Sequence, residues 1–301
     1  IDANLGAGTL TQSSGSTTLN GTVGALTVNV DGGTLVLGPS NRLANAAAVT
    51  VASGATLDVG SFTDTVGTFA NGGTLSGTGT LTATSYTLNG GTIDANLGAG
   101  TLTQASGSST LTATAGTSTL NLDGGTPLLG AADRLANSAA VTVASGATLD
   151  LAGFDDTVGS FTSAGTLSGT GTLTAGTYTL NGGSIAANLG AGTLTQNSGS
   201  TSLGGTVGAA TVNVSGGTLV LAAGERLLDT AALNVGGGTL DIGANSETVG
   251  AVTLTSGGIS GTSGVLTGSG YAVQSGSISA ILAGTGALTK TTAGTVTLSG
   301  A

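Results

Sequence analysis

The chain opens with "IDANLGAGTLTQ" (Ile1–Gln12), and the same twelve letters return at Ile93–Gln104. A near-copy, "IAANLGAGTLTQ", occupies Ile185–Gln196, so the phrase recurs with a period of 92. A reaction needs one asymmetric site, whereas a stacked architecture repeats its unit. Other landmarks keep the same period. Tyr86 returns as Tyr178 and Tyr271, and "NRLANAAAVTVASGATLD" (Asn41–Asp58) returns as "DRLANSAAVTVASGATLD" (Asp133–Asp150). A third copy, "ERLLDTAALNVGGGTLD" (Glu225–Asp241), is one residue shorter. The long repeats run 1–92, 93–184 and 185–277, with a partial copy over 278–301.

Inside each unit runs a shorter beat. The element Gly/Ala-Thr-Leu starts near Thr9, Thr34, Thr56, Thr80 and Thr101, in steps of 25, 22, 24 and 21. Between the glycines the residues alternate, as in "LTVNV" (Leu26–Val30) and "AVTVA" (Ala48–Ala52). Period-two alternation puts aliphatic side chains on one face of a strand and Thr, Ser or Asn on the other. Nothing in the sequence has the spacing of an amphipathic helix, and Thr, Val and Gly are poor helix formers. Short strands punctuated by Gly-Gly, Asn-Gly and Ser-Gly predict an all-β parallel β-helix, a solenoid continuous over 1–301. The beat predicts roughly 13 coils of about 23 residues, four coils per 92-residue repeat. An antiparallel sandwich or barrel would make no use of so regular a repeat.

Composition narrows the function. Gly accounts for 58 of 301 residues, yet 39% of the chain is hydrophobic, which sets it apart from a disordered Gly-rich linker. The net charge is −10, from 14 acids against 4 bases. Nucleic acids and anionic membranes are bound through Lys and Arg clusters, so neither is an expected partner, and no membrane insertion of this segment is expected. The absence of Cys removes disulfides, thiolate chemistry and soft metal sites together. A solenoid has no need of disulfides, because each layer is held by its neighbours. Ile1 lies inside a repeat unit with no charged-then-apolar leader ahead of it, so the chain is expected to be a mature or excised segment of a longer product.

The few charged residues can be read one by one. Arg42, Arg134 and Arg226 share one position of the repeat. Asp64, Asp156 and Glu247 share another, further along by steps of 22, 22 and 21. That separation matches the local beat, so each acid is expected one coil above its Arg, as a structural ion pair between coils. A periodic docking feature is the functional alternative. Asp31 and Asp123 precede Gly-Gly, but the tandem Gly-Gly-x-Gly-x-Asp of a calcium-binding roll is missing, and they read as turn residues. The pair Asp155–Asp156 beside Phe154 reads as a solvated turn, with weak surface calcium binding as its alternative. No catalytic, cofactor or metal residue is assigned, and no cofactor is expected. A carbohydrate-active β-helix enzyme is the alternative from another class. Such enzymes cluster acids with Arg or Lys on one face, and with no His, no Cys and one Lys the chain is expected not to be an enzyme. An ice-binding array of Thr-x-Thr ladders is disfavoured, because Thr is expected on several faces and the coil length is irregular.

The last stretch, "LAGTGALTKTTAGTVTLSGA" (Leu282–Ala301), resembles the autotransporter-associated β-strand repeat. Its pattern of Gly-x-Gly-x-Leu-x-Lys, then Gly, Leu and Gly, is filled by Gly284, Gly286, Leu288, Lys290, Gly294, Leu298 and Gly300. The stretch Asp133–Thr174 is similar to the body of autotransporter passengers and related large bacterial exoproteins. The resemblance implies a right-handed β-helix, secreted and located outside the cell or on the bacterial surface. The expected role is that of a structural rod, either an adhesin stalk or a subunit of a surface filament or biofilm matrix fibre. The expected partners are further coils of the same chain or other copies end to end, with a host surface or extracellular polysaccharide as further candidates.

Overall fold

The computed structural model describes residues 1–300, and every regular element in it is a β-strand. All the registered strand pairs are parallel, and each strand pairs with one roughly a coil further along the chain. This is a parallel β-solenoid of about 16 turns. The chain divides into two compact units, Ile1–Thr157 and Val158–Ala301, each a stack of coils.

The first unit shows the coil most fully. One sheet is built from Thr9–Gln12, Thr27–Val30, Ala48–Val51, the second half of Thr63–Asn71, the second half of Thr80–Leu88 and Thr101–Gln104. Its successive register partners are Thr9, Thr27, Ala48, Thr68, Ser85 and Thr101, in steps of 18, 21, 20, 17 and 16. Those five steps span one long repeat. The expectation of four coils per repeat is thereby corrected to five shorter ones, and the total rises from 13 to about 16.

The reason lies in where the Thr-Leu beat falls. Thr9 belongs to this sheet, whereas Thr34 and Thr56 belong to a second one, with Leu35, Leu57, Leu75, Ile93 and Leu111 stacked inward. Thr80 belongs to a third ladder, running Leu5–Val23–Leu43 and then Leu81–Leu97–Ala115–Leu135. The beat therefore walks around the solenoid and completes five coils in four steps.

Alternation does the packing. On the first sheet Leu10, Val28, Val49, Phe69, Tyr86 and Leu102 form one inward column, and Thr, Ser, Asn or Ala at the flanking positions faces out. From Val28 to Leu102 these inward side chains are at most 1% exposed. Small aliphatic side chains suit the narrow interior, because like residues stack on like and each strand is held by the coils above and below. Glycine is required where coils turn close together. Gly91 has φ +83° and lies against the carbonyl of Gly73, and Gly183 has φ +90° against that of Gly165.

Candidate functional site

The third ladder contains a polar interruption. Register runs Asp64 to Leu81, and Leu43 lies one coil earlier, so Asp64 occupies a position that Leu, Val or Ala fills in the neighbouring coils. Its side chain is 1% exposed. Asp64 Oδ2 accepts the backbone N–H of Arg42 at 2.7 Å and of Leu43 at 3.2 Å, while Oδ1 accepts that of Thr65 at 2.8 Å. The two donors converge because Asn41, just before them, adopts φ +56°, a left-handed conformation that turns successive N–H groups toward one acceptor.

The corner recurs twice. Asp156 Oδ2 accepts from Arg134 at 2.9 Å and Leu135 at 3.1 Å, behind Asp133 at φ +55°. Glu247 accepts from Arg226 through Oε2 at 2.8 Å and from Leu227 through Oε1 at 2.7 Å, behind Glu225 at φ +54°. The third interval is one residue shorter, and the acid there is one methylene longer. Each of its oxygens takes one donor, where a single oxygen of Asp takes both.

The guanidinium groups point the other way. Arg42 donates from its NH1 nitrogen to Asn20 O of the preceding coil at 2.7 Å and from Nε to Ser40 O at 3.0 Å. Arg134 reaches Thr112 O and Ala132 O, and Arg226 reaches Gly204 O and Gly224 O, in the same manner. All six residues singled out from the sequence therefore meet as adjacent-coil pairs, but the joint is backbone to carboxylate and guanidinium to carbonyl. One residue ties its coil both backward and forward.

Burial dominates the electrostatics. It raises the Asp64 and Asp156 carboxyls above the usual aspartate value, against the lowering effect of the N–H donors. Glu247 is pushed up to about 7 by burial, opposed by the Arg226 and Leu227 N–H groups and helped upward by the nearby Glu225 charge. Such shifts also occur at catalytic acids. Here each group is fully engaged with backbone donors and lies inside the wall of the solenoid.

Two recurring polar residues escaped the sequence reading. Gln12, Gln104 and Gln196, at the ends of the three "TLTQ" strands, turn inward and hold the following turn. Each Nε2 donates at 2.6 Å to the carbonyl two residues on, at Ser14, Ser106 and Ser198. Tyr86, Tyr178 and Tyr271 sit in the core. Each hydroxyl accepts the N–H three residues back, from Ala83, Ala175 or Gly268, and reaches a carbonyl of the next coil at Ala99, Ala191 or Ala283. Their recurrence at the repeat spacing was the available signal, but the inward face of a Gln at a strand end was not legible without the turn geometry.

Among the described residues no group of three or more His, Cys, Asp or Glu is placed to hold a metal ion. The surface concavity bounded by Leu5, Thr9, Leu10 and Val23 is lined by uncharged residues. No helix of the described residues is long and apolar enough to cross a membrane. No family model, curated protein or solved structure matches the chain.

Proposed function

We propose that this chain is a structural segment of a secreted bacterial surface protein, of the β-helical autotransporter or large-exoprotein kind. In this reading it serves as an adhesin stalk or as a subunit of a surface filament or matrix fibre. The observation that carries the reading is the Arg–acid corner. In all three copies the side chains best equipped for chemistry are engaged in tying one coil to the next. The resemblance of Leu282–Ala301 to the autotransporter-associated repeat supports the secreted location. Its candidate partners are further coils of the same chain, other copies end to end, a host surface or an extracellular polysaccharide.

The test is an epitope placed at the exposed Ser13–Ser14 turn of the parent protein, probed with antibody and protease on intact cells. Labelling and cleavage without lysis support the reading, and electron microscopy of the same cells separates isolated stalks from long fibres. An epitope reached only after lysis overturns it.

A further inference from the structure

Four Asn-Gly pairs lie where a strand ends: Asn20–Gly21, Asn71–Gly72, Asn89–Gly90 and Asn181–Gly182. The pairing has a chemistry of its own. A peptide nitrogen can attack the side-chain carbonyl of an Asn just before it, and glycine has no Cβ to hinder the approach. In a folded chain the reaction depends on whether the glycine N–H is free and whether water reaches the Asn.

The structure separates the four pairs. The Gly21 N–H donates to Ile1 O at 3.1 Å, and the Gly72 N–H donates to Val51 O at 2.8 Å. Asn71 is also fully buried, its Nδ2 donating to Gly73 O at 3.1 Å and Gly90 O at 3.3 Å. The Asp-Gly pairs, which could close the same ring, are held likewise. The Gly32 N–H donates to Gln12 O at 3.1 Å and the Gly124 N–H to Gln104 O at 3.2 Å. Among the described residues the N–H groups of Gly90 and Gly182 have no such acceptor. Asn89 is exposed and Asn181 half-exposed. Both open the same Asn-Gly-Gly turn, with glycine φ values of +128° and +83° in one copy and +126° and +90° in the other.

We propose that Asn89 and Asn181 are modification sites, each converted without an enzyme to isoaspartate through a cyclic imide. Hydroxide takes the proton of Gly90 N, which then bonds to Asn89 Cγ. The Cγ–Nδ2 bond breaks, and ammonia leaves with a proton from water. Water next opens the ring. Attack at Cγ breaks the new bond and leaves Asp. Attack at the backbone carbonyl breaks the original peptide bond, and the chain then runs through Cγ as isoaspartate. Asn181 and Gly182 react in the same way. Each event adds a negative charge to a chain that already carries −10. The isoaspartate form also inserts a backbone atom where Gly91 and Gly183 already lie against the carbonyls of Gly73 and Gly165, so the coils must part at that corner.

Side-chain contacts set the order of reaction. Asn89 Oδ1 accepts from the Ser106 hydroxyl at 3.3 Å. Asn181 Oδ1 accepts from Asn197 Nδ2 at 2.9 Å and from the Ser198 hydroxyl at 3.1 Å, so two bonds must be released before its carbonyl can turn. The third copy has Gln274–Ser275 at this position, a side chain too long by one methylene for the same ring, and serves as an internal control.

The test is incubation of the whole chain, folded and in urea, at mildly alkaline pH, with peptide mass mapping and an isoaspartyl methyltransferase assay on each peptide. In urea all four Asn-Gly pairs should react alike. In the folded chain Asn89 should react first and Asn181 next. Asn20 and Asn71 should be slower than Asn89 by about tenfold or more, since their glycine N–H groups are freed only by local opening. Asn197→Ala, which loosens Asn181 Oδ1, should bring Asn181 toward the rate of Asn89. Equal rates at Asn71 and Asn89 in the folded chain would overturn the proposal. So would a folded chain that keeps Asn89 and Asn181 intact while the urea sample loses all four.

Discussion

The carboxylate of Asp64 accepts the backbone N–H of Arg42 at 2.7 Å from the following coil, while the guanidinium of Arg42 donates to Asn20 O in the preceding one at 2.7 Å. Three successive coils are thus joined through two side chains. The spacing of Arg and acid follows from this, because each must lie one coil from its target. If the acid's role is to satisfy backbone donors, removing it leaves the N–H groups of Arg42, Leu43 and Thr65 without their acceptor. Asp64→Ala should then cost about 3 kcal/mol or more in a urea unfolding series. Asp64→Asn, which keeps an accepting oxygen, should cost less. Asp64→Leu would match the neighbouring Leu43 and Leu81 in the column, yet it should remain destabilising because the donors are still orphaned. Wild-type stability in the Leu variant would show that the corner is a packing site only.

The buried acids make stability depend on pH. Glu247 titrates at about 7 in the folded chain and near 4.5 when free of its surroundings. The folded chain therefore holds this proton more tightly than the unfolded chain does. The resulting stability is fully present below about pH 4.5 and is lost as pH rises through about 7, with a ceiling of roughly 3 kcal/mol from this group. Asp64 and Asp156, raised in the same direction, act with the same sign. Urea midpoints should fall between pH 4.5 and pH 8, and the fall should be smaller in Glu247→Gln. An equal fall in both proteins would remove Glu247 from the account.

Glu225 carries two penalties. It holds φ +54°, a conformation that costs a residue with a Cβ about 1 kcal/mol, and its charge raises the carboxyl of Glu247. The first copy has Asn at this position, a residue that tolerates the left-handed region. Glu225→Asn should therefore stabilise the chain by about 1 kcal/mol and lower the Glu247 titration, which carbon-13 NMR of the carboxyl would follow. An unchanged titration would mean that solvent screens the pair.

The buried tyrosines give a fourth contrast. The Tyr178 hydroxyl accepts the Ala175 N–H at 2.8 Å and reaches Ala191 O at 3.2 Å. Tyr178→Phe keeps the ring in the core but orphans the Ala175 N–H, at a cost of about 1–3 kcal/mol. The unfolding midpoint measures it, and amide exchange should quicken at Ala175 in particular. If exchange quickens uniformly, the loss is one of global packing.

How far these features could be read in advance depended on what kind of spacing carried them. The long period and the alternation of "LTVNV" specify stacked parallel strands, because both follow from identity along the chain. The coil length did not follow, since Thr-Leu marks strand starts on three different sheets and its beat conceals the shorter coil step. The Arg–acid spacing was legible because its interval tracks one true coil step in every copy, the shortened third included. What could not be read was the direction of the contact. A carboxylate that satisfies backbone donors and one that pairs with a guanidinium have the same spacing in sequence. Only the left-handed turn at Asn41, Asp133 and Glu225 distinguishes them.

Glycine at the coil corners allows backbone strain and inter-coil contact to be measured separately. Gly91 has φ +83°, and a Cβ there would lie inside the van der Waals envelope of Gly73 O in the neighbouring coil. Gly146 has nearly the same φ, +84°, but a Cβ there would meet nothing within 4 Å. Alanine at Gly146 should pay only for the left-handed conformation, about 1 kcal/mol. Alanine at Gly91 adds a clash with backbone that cannot rotate away, so the coils must part locally, and a loss of several kcal/mol is expected. The two variants compared by urea unfolding give the contribution of close coil stacking at a single corner. Faster amide exchange at Thr92, whose N–H donates to Gly73 O at 2.9 Å, would place the damage between those two coils. Equal losses at Gly91 and Gly146 would show that φ alone fixes glycine at these corners.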